Sequence, residues 1–223
     1  GVPAIPVFWM ATFDHDLDEV AEIYAGRDVD ARHVRLRHEG RGRVVGQLPL
    51  GAAVADALAV VDRRLVGTPH RAWTMARLRE SWTEHTTFAA AFASLLRALV
   101  VGDAADGGDE DLGIVWLDPS SRAIATLGRD VVAAALFERA RVQGALDDGA
   151  RALRDVGFAP IVRRDATTMG RVHGEVFLTD EHGVRSALWH EPDGGWSTAH
   201  GRRYERADLE ALLDDAPERL TPS

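Results

Sequence analysis

The chain contains no cysteine. Disulfide bridges, zinc–thiolate centres and cysteine nucleophiles are therefore excluded within it. Lysine is absent as well, since all 26 cationic side chains are arginine. That removes a P-loop lysine, a Schiff-base lysine and a Ser-x-x-Lys site. An excess of positive charge is also lacking: 35 acidic residues against 26 basic give a net charge of −9. A nucleic-acid partner is not expected from such a surface. No apolar run reaches the ~18 residues of a membrane span, so no membrane partner is expected. No secretory signal pattern is visible in the first residues. The glycines form no nucleotide fingerprint, because Gly40-Arg41-Gly42 lacks the helix start that G-x-G-x-x-G requires.

What is present suits a folded domain: 223 residues, 46% apolar and 27% charged. Ile5 to Ala11 is a continuous apolar run that reads as a strand buried on both faces, with Trp9 as packing. Asp14 to Ala25 reads as a short helix with acids in its first turn. His33 to Arg37 and Arg43 to Leu48 read as strands. Ala52 to Leu65, Arg71 to Trp82 and Thr87 to Val101 read as helices, the last with Thr87 as its cap. An acidic loop spans Val101 to Asp111. Leu112 to Leu117 is a second buried strand that includes Trp116, followed by a helix start at Ser120 or Ser121. A long helical stretch, Ala123 to Val156, is expected to break near Gly144 or Gly149. Ala159 to Arg163, Val172 to Thr179, Val184 to Glu191 and Gly195 to Ser197 read as an antiparallel meander. Glu205 to Leu213 is a final helix.

This order predicts an α/β fold: a partial Rossmann-like core, a parallel sheet with flanking helices, carrying a smaller β-rich insert. The expected divisions are 1–157 for the core with its helical insert, 158–204 for the β-rich module, and 205–223 for a helix and exit loop. Gly1 stands first, and Pro217 to Ser223 read as a loop leading elsewhere. Both suggest a piece of a longer protein.

In open α/β sheets, ligands bind beyond the carboxyl ends of the strands. Two segments have that placement: Thr12 to Asp16 after the first buried run, and Asp118 to Ser121 after the second. If the strands are parallel neighbours, both loops open on one edge. Asp14, His15 and Asp16 are the densest chemistry in the chain. A histidine between two carboxylates can move a proton, contact a phosphate or bind a metal with either aspartate. The same three residues also read as an ordinary helix N-terminus. The remaining histidines read as surface or capping residues.

Pro6 to Val20, PVFWMATFDHDLDEV, resembles a signature of the BshC family, the cysteine ligases of bacillithiol biosynthesis. There a P-V-F-W strand leads into E-D-H-D. The likeness continues in order through Val45-Gly46-Gln47, Thr87 to Leu99, and Leu112 to Asp118-Pro119. It ends with Gly201 to Tyr204, Asp208-Leu209 and Pro217 to Pro222. The resemblance implies a Rossmann-like core related to nucleotidyl-transferring ligases. The full-length protein would add a coiled coil that makes it a homodimer. The implied reaction joins cysteine to glucosaminyl malate in the last step of synthesis of a low-molecular-weight thiol, in the cytoplasm. ATP is the implied activator, and no metal is required.

By position, Asp14, His15 and Asp16 match the family's D-H-D and are implied as catalytic. Trp9, Thr12 and Asp118 are implied as substrate or nucleotide contacts. Two positions depart from the pattern: Phe13 replaces a glutamate and Ala21 replaces an asparagine. They motivate an alternative, a non-catalytic homologue that binds a nucleotide or partner. A second alternative is a metal-dependent hydrolase using the Asp-His-Asp cluster. The 223-residue piece by itself is expected to be inactive.

Overall fold

The structure, a computed structural model, describes residues 4–26, 31–101, 114–160, 167–168 and 171–222. Two compact units divide it, Gly1–Ser120 and Ser121–Ser223.

In the first unit, β1 (Val7–Trp9) pairs in parallel with β4 (Val115–Leu117). The register sets Phe8 opposite Trp116 and Trp9 opposite Leu117. This sheet holds two strands among the described residues. The expectation of strands buried on both faces is corrected here. Val7 is 56% exposed and Trp9 55%. Burial needs cover on each face, and apolar composition alone does not supply it. The Phe8 ring lies 5.2 Å from that of Trp116 and 6.2 Å from that of Phe92.

The expected Asp14–Ala25 helix shrinks to α1 (Leu17–Val20). The chain then enters β2 (Glu22–Ala25), antiparallel to β3 (Arg32–Arg35). Ala21 passes its carbonyl to the Leu36 amide at 2.7 Å. Ile23 and Tyr24 favour the extended backbone that this pairing demands. The expected strand at Arg43–Leu48 is instead a 3-10 turn, Val45–Gln47. Its Val45 and Gly46 amides donate to carbonyls of the loop after β1, and the Gln47 amide to Val44, rather than to a ladder.

Three helices follow as expected: α2 (Ala53–Arg64), α3 (Arg71–Ser81) and α4 (Phe88–Val101). Val54 and Val61, seven residues apart on α2, are buried on one stripe. Asp62 of α2 accepts Arg71 Nε and Arg79 Nη2 of α3, both at 2.7 Å. The Thr87 hydroxyl caps α4 by accepting the Ala90 amide at 3.3 Å. The Phe88 amide donates to the Leu48 carbonyl at 3.0 Å, so α4 starts beside the 3-10 turn.

In the second unit the long helical stretch is three helices, α5 (Arg122–Leu127), α6 (Arg129–Phe137) and α7 (Arg139–Asp155). The breaks fall at Gly128 and Glu138, which correct the expected ones. Glu138 leaves the helical region, with φ −118° and ψ 41°. Gly144 and Gly149 lie inside α7, where a Cβ at either would meet nothing within 4 Å. After β5 (Thr167–Thr168) comes the expected meander, as β6 (Arg171–Thr179), β7 (Arg185–His190), β8 (Trp196–Thr198) and β9 (Arg203–Tyr204). α8 (Arg206–Asp215) covers it. The predicted exit loop is instead a 3-10 turn, Pro217–Arg219, and β10 (Leu220–Pro222), which adds to the edge of β6. Leu220, 2% exposed, explains this, since it joins Leu178, Leu188 and Leu209 in the core. The expected acidic loop, from residue 102 onward, and the Ala159–Arg163 strand, from residue 161 onward, lie outside the described residues.

Candidate functional site

The parallel pairing brings both strand-end loops to one edge of the sheet, as their sequence placement predicts. The Met10 amide donates to the Leu117 carbonyl at 3.0 Å, which extends the pairing one residue past β1. Just beyond, the Thr12 hydroxyl donates to Asp118 Oδ1 across 106 residues of sequence. The same oxygen accepts the Ser120 amide at 2.9 Å and the Ser120 hydroxyl at 2.7 Å. Thr12 and Ser120 are both buried.

The loop then turns outward. Asp14 Oδ1 accepts the His15 amide at 2.7 Å and lies 3.3 Å from His15 Nδ1. Asp14 and His15 are half-buried, while Asp16 is exposed. One ligand atom from each of the three can be chosen so that all lie within 4.8 Å of one another. On the far side of the loop, Val45 donates its amide to the Asp14 carbonyl at 2.7 Å and Gly46 to the Thr12 carbonyl at 2.9 Å. A Cβ at Gly46 would sit 2.5 Å from the Thr12 carbonyl oxygen. Only glycine permits that approach.

Two cavities flank this arrangement. One, of about 450 Å³, is lined by His15, Asp16, Asp18 and Arg41 among others. The other, of about 360 Å³, opens at the strand ends between Asp118, Ser120, Gly46 and Thr87. Asp18 accepts both Arg35 and Arg41, so these cations answer an acid at the first cavity's wall.

Of the residues picked out in the sequence, Thr12, Asp14, His15, Asp16 and Asp118 come together. Trp9 stands apart on the exposed part of β1, with its ring edge-on to Phe13 at 6.5 Å. Ala21 is buried against Leu36 and Val45, where an apolar residue packs well. Sequence placement brings Ser120 in with the Asp118 to Ser121 segment, but it does not single out Gly46 or Arg41. A glycine between Val45 and Gln47 is a weak signal, because its necessity lies in a contact 34 residues away in sequence.

A family model described as bacillithiol biosynthesis BshC, N-terminal Rossmann-like domain, matches residues 1–223. The chain belongs to the BshC family. A protein of Salinibacter ruber is 25% identical over 238 residues, covering 100% of this chain and 38% of its own length. One of Symbiobacterium thermophilum is 28% identical over 237 residues, covering 99% and 40%. Both are named "Putative cysteine ligase BshC". This BshC chain thus spans about two fifths of the length of these curated relatives. Its α/β architecture agrees with a Rossmann-like domain: the described residues combine helices with a parallel strand pair and two antiparallel sheets.

Proposed function

We propose that the complete gene product is a cysteine ligase that joins the carboxyl of cysteine to the amine of glucosaminyl malate, in the cytoplasm, in the last step of bacillithiol synthesis. One observation of this structure carries the assignment of the loop. Asp14, His15 and Asp16 are gathered at the carboxyl edge of a parallel strand pair, beside a cavity large enough for a small substrate. The naming of the relatives supports cysteine as substrate.

The acids favour a cationic group, so the loop suits the amine-bearing side of the reaction. An ammonium must lose a proton before its nitrogen can attack the cysteine carboxyl carbon, which ATP would first activate as an acyl phosphate or acyl adenylate. The C–N bond forms as the acyl C–O bond breaks and the phosphate or AMP leaves. His15, next to Asp14, is placed to take that proton. Asp14 would orient the imidazole, and Asp16 would hold the incoming ammonium. The exposed Trp9 ring would border the substrates.

The loop after β1 does not offer a cradle for a triphosphate. The loop amides of Thr12, Asp14, His15 and Leu17 all donate within the loop, and Arg41 is given to Asp18. ATP, which the family resemblance implies as activator, is therefore not assigned to this loop.

Incubating the complete gene product with cysteine, glucosaminyl malate and ATP should yield the amide, detected by its mass. A signal no higher than the enzyme-free control would reject the reading. The compactness of the Asp14-His15-Asp16 cluster favours one second reading, a metal-dependent hydrolase. Stoichiometric metal in protein purified without added ions would support it, and full activity in a strong chelator would reject it.

A further inference from the structure

We propose that Thr12, Gly46 and Asp118 form a clasp that sets the position of the Asp14-His15-Asp16 loop, and that Asp118 is a positioning residue rather than a substrate contact. The consequence for turnover rests on the ligase reading above; the clasp itself does not.

Asp118 Oδ1 accepts the Thr12 hydroxyl, the Ser120 amide and the Ser120 hydroxyl. Two of these donors come from its own turn and one from the neighbouring strand's loop. A carboxylate used this way ties two loops together. Thr12 and Ser120 are 7% and 8% exposed, so water competes little for these bonds.

Thr12 is held from its other side as well. Its carbonyl accepts the Gly46 amide at 2.9 Å, and the next amide back, Val45, donates to Asp14 at 2.7 Å. Gly46 is not among the glycines with a left-handed backbone. Its need for glycine comes from the 2.5 Å approach to Thr12 alone. Asp14 is therefore fixed through its own carbonyl and through Thr12, two residues before it. His15 follows Asp14 directly, so the backbone contacts that place Asp14 also place the imidazole. Among these residues, Asp118, Thr12 and Gly46 act on His15 without touching the reacting atoms.

The test uses the full chain labelled with ¹³C and ¹⁵N, and turnover by the complete gene product. Thr12→Val removes the hydroxyl at nearly constant shape, and Thr12→Ser keeps it. Thr12→Val and Gly46→Ala should shift the His15 ring cross-peak, which is assigned by its loss in His15→Gln. Both should lower kcat more than tenfold while the KM for cysteine changes by less than about threefold. Thr12→Ser should restore both readouts. Asp118→Ala and the Asp118→Ala, Thr12→Val double variant should give the same turnover within about threefold, because one linkage is broken either way.

An unmoved His15 cross-peak in folded Thr12→Val protein overturns the clasp. Multiplied losses in the double variant overturn the positioning role of Asp118 and point to a direct substrate contact. If the wild-type protein forms no product, the ligase reading fails, and the His15 cross-peak still decides the clasp.

Discussion

Ala21 shows why residue identity is legible in the sequence while its consequence is not. Read against the family pattern, it is a lost polar group; in the fold it is a packed methyl in the core beside Leu36. Trp9 fails in the opposite direction, while Trp116 is half-buried against Phe8. Both read as core because their neighbours are apolar, yet Trp9 is 55% exposed among the described residues. His190, on β7, yields a prediction. Burial pushes its pKa down, and the nearby Arg139 guanidinium adds to the effect. The folded protein therefore holds His190 neutral where the unfolded chain takes up a proton. Its contribution to stability is present above the ordinary histidine range and is lost as pH falls below about 6.5. Melting temperature measured from pH 8 down to pH 5 should decline through that window, and His190→Gln should flatten the decline. An identical slope in the variant would assign the loss to other groups.

At the scale of elements, what the sequence makes legible depends on who supplies the partners. Helices that carry their own apolar stripe, such as α2, and their own cap, such as α4, stand where the pattern puts them. β2 is illegible because its partner, β3, overrides the helical pattern of Asp14 to Ala25 through backbone pairing. The breaks around α6 are illegible for a related reason. Gly144 and Gly149 look like breakers, but they face open space and merely weaken a helix that continues. α8 offers the cleanest test at this scale. Glu205 and Asp208 form a reciprocal capping box, with the Glu205 amide donating to Asp208 Oδ2 at 2.8 Å. Asp208→Ala should cost about 1 kcal/mol in urea denaturation, the usual worth of a lost cap. A change below the precision of the measurement would show that the Leu209 and Leu213 contacts alone hold this end.

For the molecule as a whole, the α/β class and the meeting of two strand-end loops were legible, because alternating order and strand-end placement are topological signals. The contacts that build the site were not. Thr12 reaches Asp118 across 106 residues, and Gly46 matters only through Thr12. Each unit has its own core, around Leu48 and Leu50 in the first and Leu188 and Leu209 in the second. All of the proposed chemistry lies in the first. The loop after β1 is therefore the part of the molecule to change, and one substitution there tests the proposed chemistry most directly. His15→Gln keeps the volume of the side chain and removes its proton chemistry. In the complete gene product supplied with cysteine, glucosaminyl malate and ATP, it should lower the rate of amide formation by at least ~100-fold, with melting temperature unchanged. A folded variant that forms product at the wild-type rate would contradict the account and move the reaction away from this loop.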